Sequence, residues 1–145
     1  MNKYMEEAII LSEDNKEGGP FGAVIVKEDK IVGRGKNKVL KENDPTSHAE
    51  VNAIKDACKN LNTHDLSNCI LYTTCYPCPM CLGAIIWSNI KEVYYGNTAS
   101  DADAIGFRDD KIYEFIKGNN KIIDLKQIDR DKTIEAFKNY KGKIY

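Results

Sequence analysis

Apolar positions along the chain change their spacing several times, and each change marks an element. Over residues 2–13, Tyr4, Ala8 and Leu11 recur on one face with Met5 and Ile9 beside them, the period of an amphipathic helix. Glu17-Gly18-Gly19-Pro20 stops that helix and turns the chain. Residues 21–26 are then almost continuously apolar and rich in β-branched side chains, which predicts a buried strand. Glu28-Asp29-Lys30 predicts a hairpin turn into a second strand that starts at Ile31 and runs through Gly35 towards Val39.

Asn43-Asp44-Pro45-Thr46-Ser47 follows as a stop signal and a set of capping side chains. Any of Asp, Thr or Ser there can cap a helix running from near His48 to about Asn60. A third strand is expected over 68–74. Pro77 and Pro79 then open a helix that reaches Trp87, proline being tolerated in a first turn. A fourth strand is expected over 91–95, helices over 110–117 and 130–140, and a fifth strand between them over 121–127. Strands alternating with helices of this length predict a layered α/β domain. At 145 residues, the whole of 1–145 reads as one domain large enough to bury a core.

Composition narrows the partners. Basic residues number 21 against 22 acidic, for a net charge of −1, and the lysines are dispersed among acids. A nucleic-acid binder ordinarily shows a basic excess or patch, so the balance favours a small-molecule substrate. No apolar run approaches the ~18 residues of a membrane span, and Met1 to Glu7 lacks the apolar core of a secretory signal. The expected location is the cytoplasm. Five cysteines, an odd number clustered towards one segment, argue for metal rather than a disulfide framework.

The chemistry is concentrated in two short pieces. Thr46-Ser47-His48-Ala49-Glu50 supplies His-x-Glu, and Tyr76-Pro77-Cys78-Pro79-Met80-Cys81 supplies Pro-Cys-x-x-Cys. This pairing resembles the signature of zinc deaminases. A catalytic zinc takes three protein ligands and keeps a fourth position for water. His48, Cys78 and Cys81 supply the three, and Glu50 is left to move protons. Three positions apart, Cys78 and Cys81 face nearly the same way on a helix whose N-terminal dipole favours thiolate. His48 and Glu50, two apart, point roughly 200° from each other on a helical wheel. Both can serve one ion only near a helix tip.

Cys75 forms a second, overlapping Cys-x-x-Cys with Cys78 and could complete a four-ligand structural site. The presence of Glu50 and Pro77 favours the three-ligand arrangement, in which Cys75 ends a buried strand as a small apolar side chain. Cys58 and Cys69 read as core, and His64 as a polar-loop residue at the surface.

Beyond the metal motif, the chain resembles the cytidine deaminase-like superfamily, and within it the short zinc-dependent guanine deaminases. The residues that carry this are Gly18-Gly19-Pro20-Phe21-Gly22-Ala23-Val24-Ile25-Val26, Asn43-Asp44-Pro45-Thr46, Pro77-Cys78-Pro79-Met80-Cys81-Leu82-Gly83-Ala84-Ile85 and Gly106-Phe107-Arg108-Asp109-Asp110. The resemblance implies a three-layer α/β/α sandwich around a five-stranded mixed sheet, one zinc per chain, and hydrolysis of guanine to xanthine and ammonia. It implies a homodimer whose C-terminal segment can swap onto the neighbour. Asn37 resembles the asparagine that hydrogen-bonds the purine, Phe21 the aromatic lining of the base pocket, Asp109 the acid that reads the guanine edge, and Tyr145 a terminal tyrosine that closes the site. Asp110 rivals Asp109 in register, Asn37 can equally cap a turn, and Phe21 can equally be core. Tyr76 departs from the pattern, since many relatives carry Glu there. The competing readings are a tRNA adenosine deaminase, a deaminase of cytosine or another aminated heterocycle, and a zinc-binding module without catalysis.

Overall fold

A computed structural model describes residues 1–145. The first helix, α1 (Lys3–Ser12), begins where the Asn2 side chain accepts hydrogen bonds from the N–H groups of Tyr4 and Met5. The chain then enters β1 (Gly22–Lys27), turns, and returns antiparallel as β2 (Lys30–Lys36), with Lys27 opposite Lys30. Glu28 and Asp29 both sit at positive φ, 49° and 62°. This is the backbone of a two-residue turn whose twist matches a hairpin. β2 stops at Lys36 rather than continuing towards Val39. Val39–Glu42 instead coils into a short helix, α2, closed by Asn43 in the left-handed region.

Helix α3 (Ala49–Leu61) leads to β3 (Ile70–Cys75), α4 (Pro79–Trp87) and β4 (Glu92–Asn97). Three further helices complete the chain: α5 (Ala99–Ala104), α6 (Asp109–Ile116) and α7 (Arg130–Asn139). The α5 helix was not among the expected elements: Thr98 and Asp101 form a reciprocal capping box at its start, but it is only 6 residues long and carries little periodicity.

The sheet has four strands in the order β2-β1-β3-β4, with β1 antiparallel to β2 and β3, and β3 parallel to β4 across α4. The expected fifth strand over 121–127 does not form, so the five-stranded sheet is corrected to four. Ile122 and Ile123 are consecutive and both exposed, so the segment lacks the alternation that would give it one apolar face. It also has no neighbour for its backbone groups, and β4 is left as an open edge.

Alternation along β1 sorts the core into two sides. Val24 and Val26 join Tyr72 and Ala8 beneath α1, while Ala23 and Ile25 join Leu71, Ile85 and the alanines of α3 on the other. The seam between α3 and β2 is very close. A Cβ at Gly35 would collide with the Ala49 carbonyl oxygen, and the facing side chains are Ala49, Ala53 and Ala57, all fully buried. Small residues on both elements thus let the helix backbone rest on the strand, which fixes where α3 begins. No helix is long and apolar enough to cross a membrane.

Candidate metal centre and adjoining pocket

Two helix starts converge at the carboxyl end of β3. His48 is the N-cap of α3, with φ −81° and ψ 157°, and Cys78 is the N-cap of α4, with φ −65° and ψ 166°. An N-cap residue has extended backbone, so His48 is not on the helical wheel at all. Glu50, in the first turn, therefore faces the same place as His48 despite the two-residue spacing. The capping side chains expected before α3 act elsewhere. Asp44 Oδ1 accepts from the Thr46 N–H and hydroxyl, and Ser47 Oγ accepts from Asn52. Pro79 occupies the first turn of α4 and brings Cys81 in behind Cys78.

His48 Nδ1 lies 3.5 Å from Cys78 Sγ and 3.4 Å from Cys81 Sγ, and the three donor atoms all fall within 4.8 Å of one another. A tetrahedral zinc, with Zn–S near 2.3 Å and Zn–N near 2.0–2.1 Å, requires an N···S edge of about 3.6 Å. The donor set and its spacing fit one zinc ion. Cys75 is not part of the cluster; it ends β3, buried, with its Sγ 3.6 Å from the Thr98 carbonyl oxygen.

Electrostatics agree with ligation. Hydrogen bonding from the Cys81 thiol, then from His48, holds Cys78 well below the ordinary thiol range. Cys81 is pushed up because its thiol donates a hydrogen bond to that thiolate and is buried. The Cys78 thiolate also raises His48. Burial lifts Cys75 to about 12, keeping it a thiol. Glu50 is buried, and loss of water raises its carboxyl to about 7.

A cavity of about 370 Å³ opens beside the triad and is lined by His48, Glu50, Asn37, Phe21, Phe107 and Asp109, among others. Phe21 does two jobs, packing on the core with its ring 4.9 Å from that of Phe107 at 82°. Gly19 leaves room for this pair, since a Cβ there would come within 3.0 Å of both rings. Asn37 Oδ1 accepts from the N–H groups of Gly19 at 3.2 Å and Val39 at 3.1 Å. Those two donors fix the amide's orientation, and its Nδ2 makes no hydrogen bond within the protein. Asp109 opens α6 and reaches the cavity, and Asp110 does not line it. Burial, then the nearby Cys78 thiolate, raises the Asp109 carboxyl.

Tyr145 is not among the lining residues. Within one chain it lies against Trp87, at 5.9 Å between ring centroids, and His64, at 6.1 Å. Phe107, Leu40 and Tyr76 also line the cavity. Phe107 stood in a stretch marked by resemblance, but nothing in its spacing distinguished a wall residue from core.

The cytidine and deoxycytidylate deaminase zinc-binding region matches residues 1–97. Guanine deaminase of Bacillus subtilis (strain 168) is 57% identical over 99 residues, covering 68% of this chain and 64% of that protein. That alignment thus spans under two thirds of the relative. The X-ray structure of the Bacillus subtilis guanine deaminase superimposes at TM-score 0.89 with 42% identity, over 100% of this chain and 99% of the other. A tRNA-specific adenosine deaminase of Buchnera aphidicola subsp. Schizaphis graminum (strain Sg) is 38% identical over 129 residues, 89% of this chain and 83% of that one. With the His48, Cys78 and Cys81 triad inside the matched region, the chain belongs to the cytidine and deoxycytidylate deaminase zinc-binding family.

Proposed function

We propose that this protein hydrolyses guanine to xanthine and ammonia. The observation that carries the reading is the end-to-end superposition on the Bacillus guanine deaminase, which extends past the metal motif through Asp109 and the tail. The cavity supports it as well. A planar, uncharged bicycle wants aromatic surface and a few directed polar groups, which here are Phe21, Phe107, Asn37 and Asp109.

His48, Cys78 and Cys81 would hold the zinc. When bound, the ion supplies the Lewis acidity that makes water a nucleophile near neutral pH. Glu50 handles the protons: it accepts one from water and passes it to the ring nitrogen beside the amine-bearing carbon. It then takes the remaining proton of the added oxygen and gives it to the departing amine as the C–N bond breaks and the C=O forms. Water and guanine are consumed, and xanthine and ammonia leave. A carboxyl near 7 can both take and return a proton at that pH. The free Asn37 amide N–H groups suit a carbonyl on the base, and Asp109 suits the N–H groups along its edge.

The partner is a second copy of the chain. Ile122, Ile123, Leu125, Ile128 and Phe137 of the tail are all exposed, as are Trp87 at the end of α4 and Tyr94 and Tyr95 on the edge strand β4. A dimer that exchanges C-terminal segments would cover both surfaces. It would also bring in a neighbour's Tyr145 to close the pocket.

The test is ammonia release by zinc-loaded protein given guanine, guanosine, adenine, cytosine and a tRNA transcript in parallel. Release from guanine is the expected result. Release from the tRNA alone would replace the reading with adenosine deamination, and from cytosine alone with a pyrimidine substrate. Silence throughout would leave a zinc module without this chemistry.

A further inference from the structure

Cys78 sits in a short connection, residues 76–78, between the end of β3 and the start of α4, with no regular structure of its own. On one side the Tyr76 N–H donates to the Asn97 carbonyl oxygen at 2.8 Å, tying the connection to the end of β4. On the other side the Tyr113 hydroxyl donates to the Pro77 carbonyl oxygen at 2.6 Å. Apart from the other two members of the triad, His48 and Cys81, Tyr113 is the one side chain hydrogen-bonded to residues 76–78. Its ring also lies 6.1 Å from that of Tyr76, which meets Tyr95 edge-on at 5.0 Å.

Tyr113 belongs to α6, four positions after Asp109, so the two side chains share a helix face. That helix has no buried residue. A short helix so weakly packed takes its position from directional ties, and the Tyr113 hydroxyl is the tie that reaches the metal loop. Asp109 at its first turn lines the cavity.

We propose that Tyr113 is a positioning residue that fastens the zinc loop to the helix presenting Asp109, so that a base held by Asp109 also steadies the hold of Cys78 on the metal. The substrate half of this inference rests on the guanine reading; the tether half does not. Coupling of this kind is reciprocal: if the bound base slows metal loss, bound metal strengthens binding of the base.

The experiment uses full-length, zinc-loaded protein and its Tyr113→Phe variant, which keeps the ring and removes only the donor. Transfer of zinc to a colorimetric chelator is timed without ligand and with xanthine, the reaction product, which cannot turn over. Loss of one hydrogen bond predicts zinc transfer about tenfold faster in the variant. Xanthine should slow transfer from the wild type and leave the variant unaffected, and by the same reciprocity KM for guanine should rise in the zinc-loaded variant. Equal transfer rates without ligand would overturn the tether. Faster transfer with undiminished protection by xanthine would overturn the coupling. Should the variant fail to fold, Asp109→Asn gives the second arm. It should abolish protection by xanthine while leaving ligand-free transfer unchanged, and persistent protection would overturn the coupling. A wild type indifferent to xanthine sinks the coupling and counts against the purine reading, while the ligand-free comparison still decides the tether.

Discussion

Glu50 is the residue on which chemistry and stability pull in opposite directions. Its place in the first turn of α3 buries a carboxyl whose charged form has lost water, and that raises it to about 7 from an ordinary 4.5. Between those values the folded metal-free protein keeps a proton that the unfolded chain has released. The stability this group contributes is therefore full below 4.5 and is lost as pH rises through about 7. Glu50→Gln removes the titration, so the metal-free variant should gain on the wild type in denaturant melts as pH goes from acid to mildly alkaline. The same variant should keep its zinc by metal analysis and lose about 10²–10⁴-fold in turnover, the usual contribution of a positioned acid–base group. Unchanged turnover would remove Glu50 from the mechanism. The triad gives a second test. In metal-free protein Cys78 is already thiolate, Cys81 holds its proton, and His48 is raised. Zinc binding at neutral pH should thus release between about one and two protons, measured by calorimetry in buffers of different ionisation heat. A count near three would mean that Cys78 enters as a thiol.

At the scale of elements, the site depends on how α3 is seated. Gly35 lets the Ala49 end of that helix rest on β2, so Gly35→Ala should cost about 1–3 kcal/mol through overpacking. It should also weaken zinc retention, because His48 caps the end that is displaced. A variant with normal melting and normal zinc content would show that the seam can yield. The hairpin between β1 and β2 offers the opposite sign. Glu28 and Asp29 hold left-handed backbone that neither residue favours. The double change Glu28→Asn, Asp29→Gly should add about 0.5–1 kcal/mol in equilibrium unfolding with no effect on zinc.

Most of these elements were legible because their periods are clean. The β-branched run of β1 and the two prolines at the start of α4 left little choice. The metal donors were legible for a different reason, since zinc chemistry restricts residue type and spacing more tightly than packing does. Of what escaped, three cases have a clear physical cause. The turn at Asn37 ended β2 early, because one side chain accepting from Gly19 and Val39 outweighed the β propensity of Val39. Residues 121–127 read as a strand by composition, yet a strand exists only with a neighbour. Phe107 was hidden because an aromatic residue in a wall and one in a core have the same sequence signature until the cavity is seen.

For the whole molecule, the unresolved economy of surface lies in the last thirty residues, most of them exposed despite Ile122, Ile123, Leu125, Ile128, Phe137 and Ile144. Exposed apolar groups on this scale mark an interaction surface. If the tail is exchanged between two copies, removal of residues 118–145 should convert a dimer to a monomer in light scattering. It should abolish turnover while zinc stays bound, since the triad lies wholly within 48–81. A truncated dimer with full activity would refute both the exchange and the closing role of Tyr145.

The same span has one more consequence. His48 and Cys81 stand 33 positions apart along the chain, so a metal gripping both acts on the unfolded polymer as a removable cross-link. Closing a loop of that length deprives the disordered chain of conformations it would otherwise sample. Within that loop lie α3, β3 and the start of α4, the centre of the sheet and one of its covering layers. Stripping a bound ion would therefore do more than empty a site: it would unbutton the middle of the protein while the β1–β2 hairpin and α1, which lie outside the loop, keep their own closure.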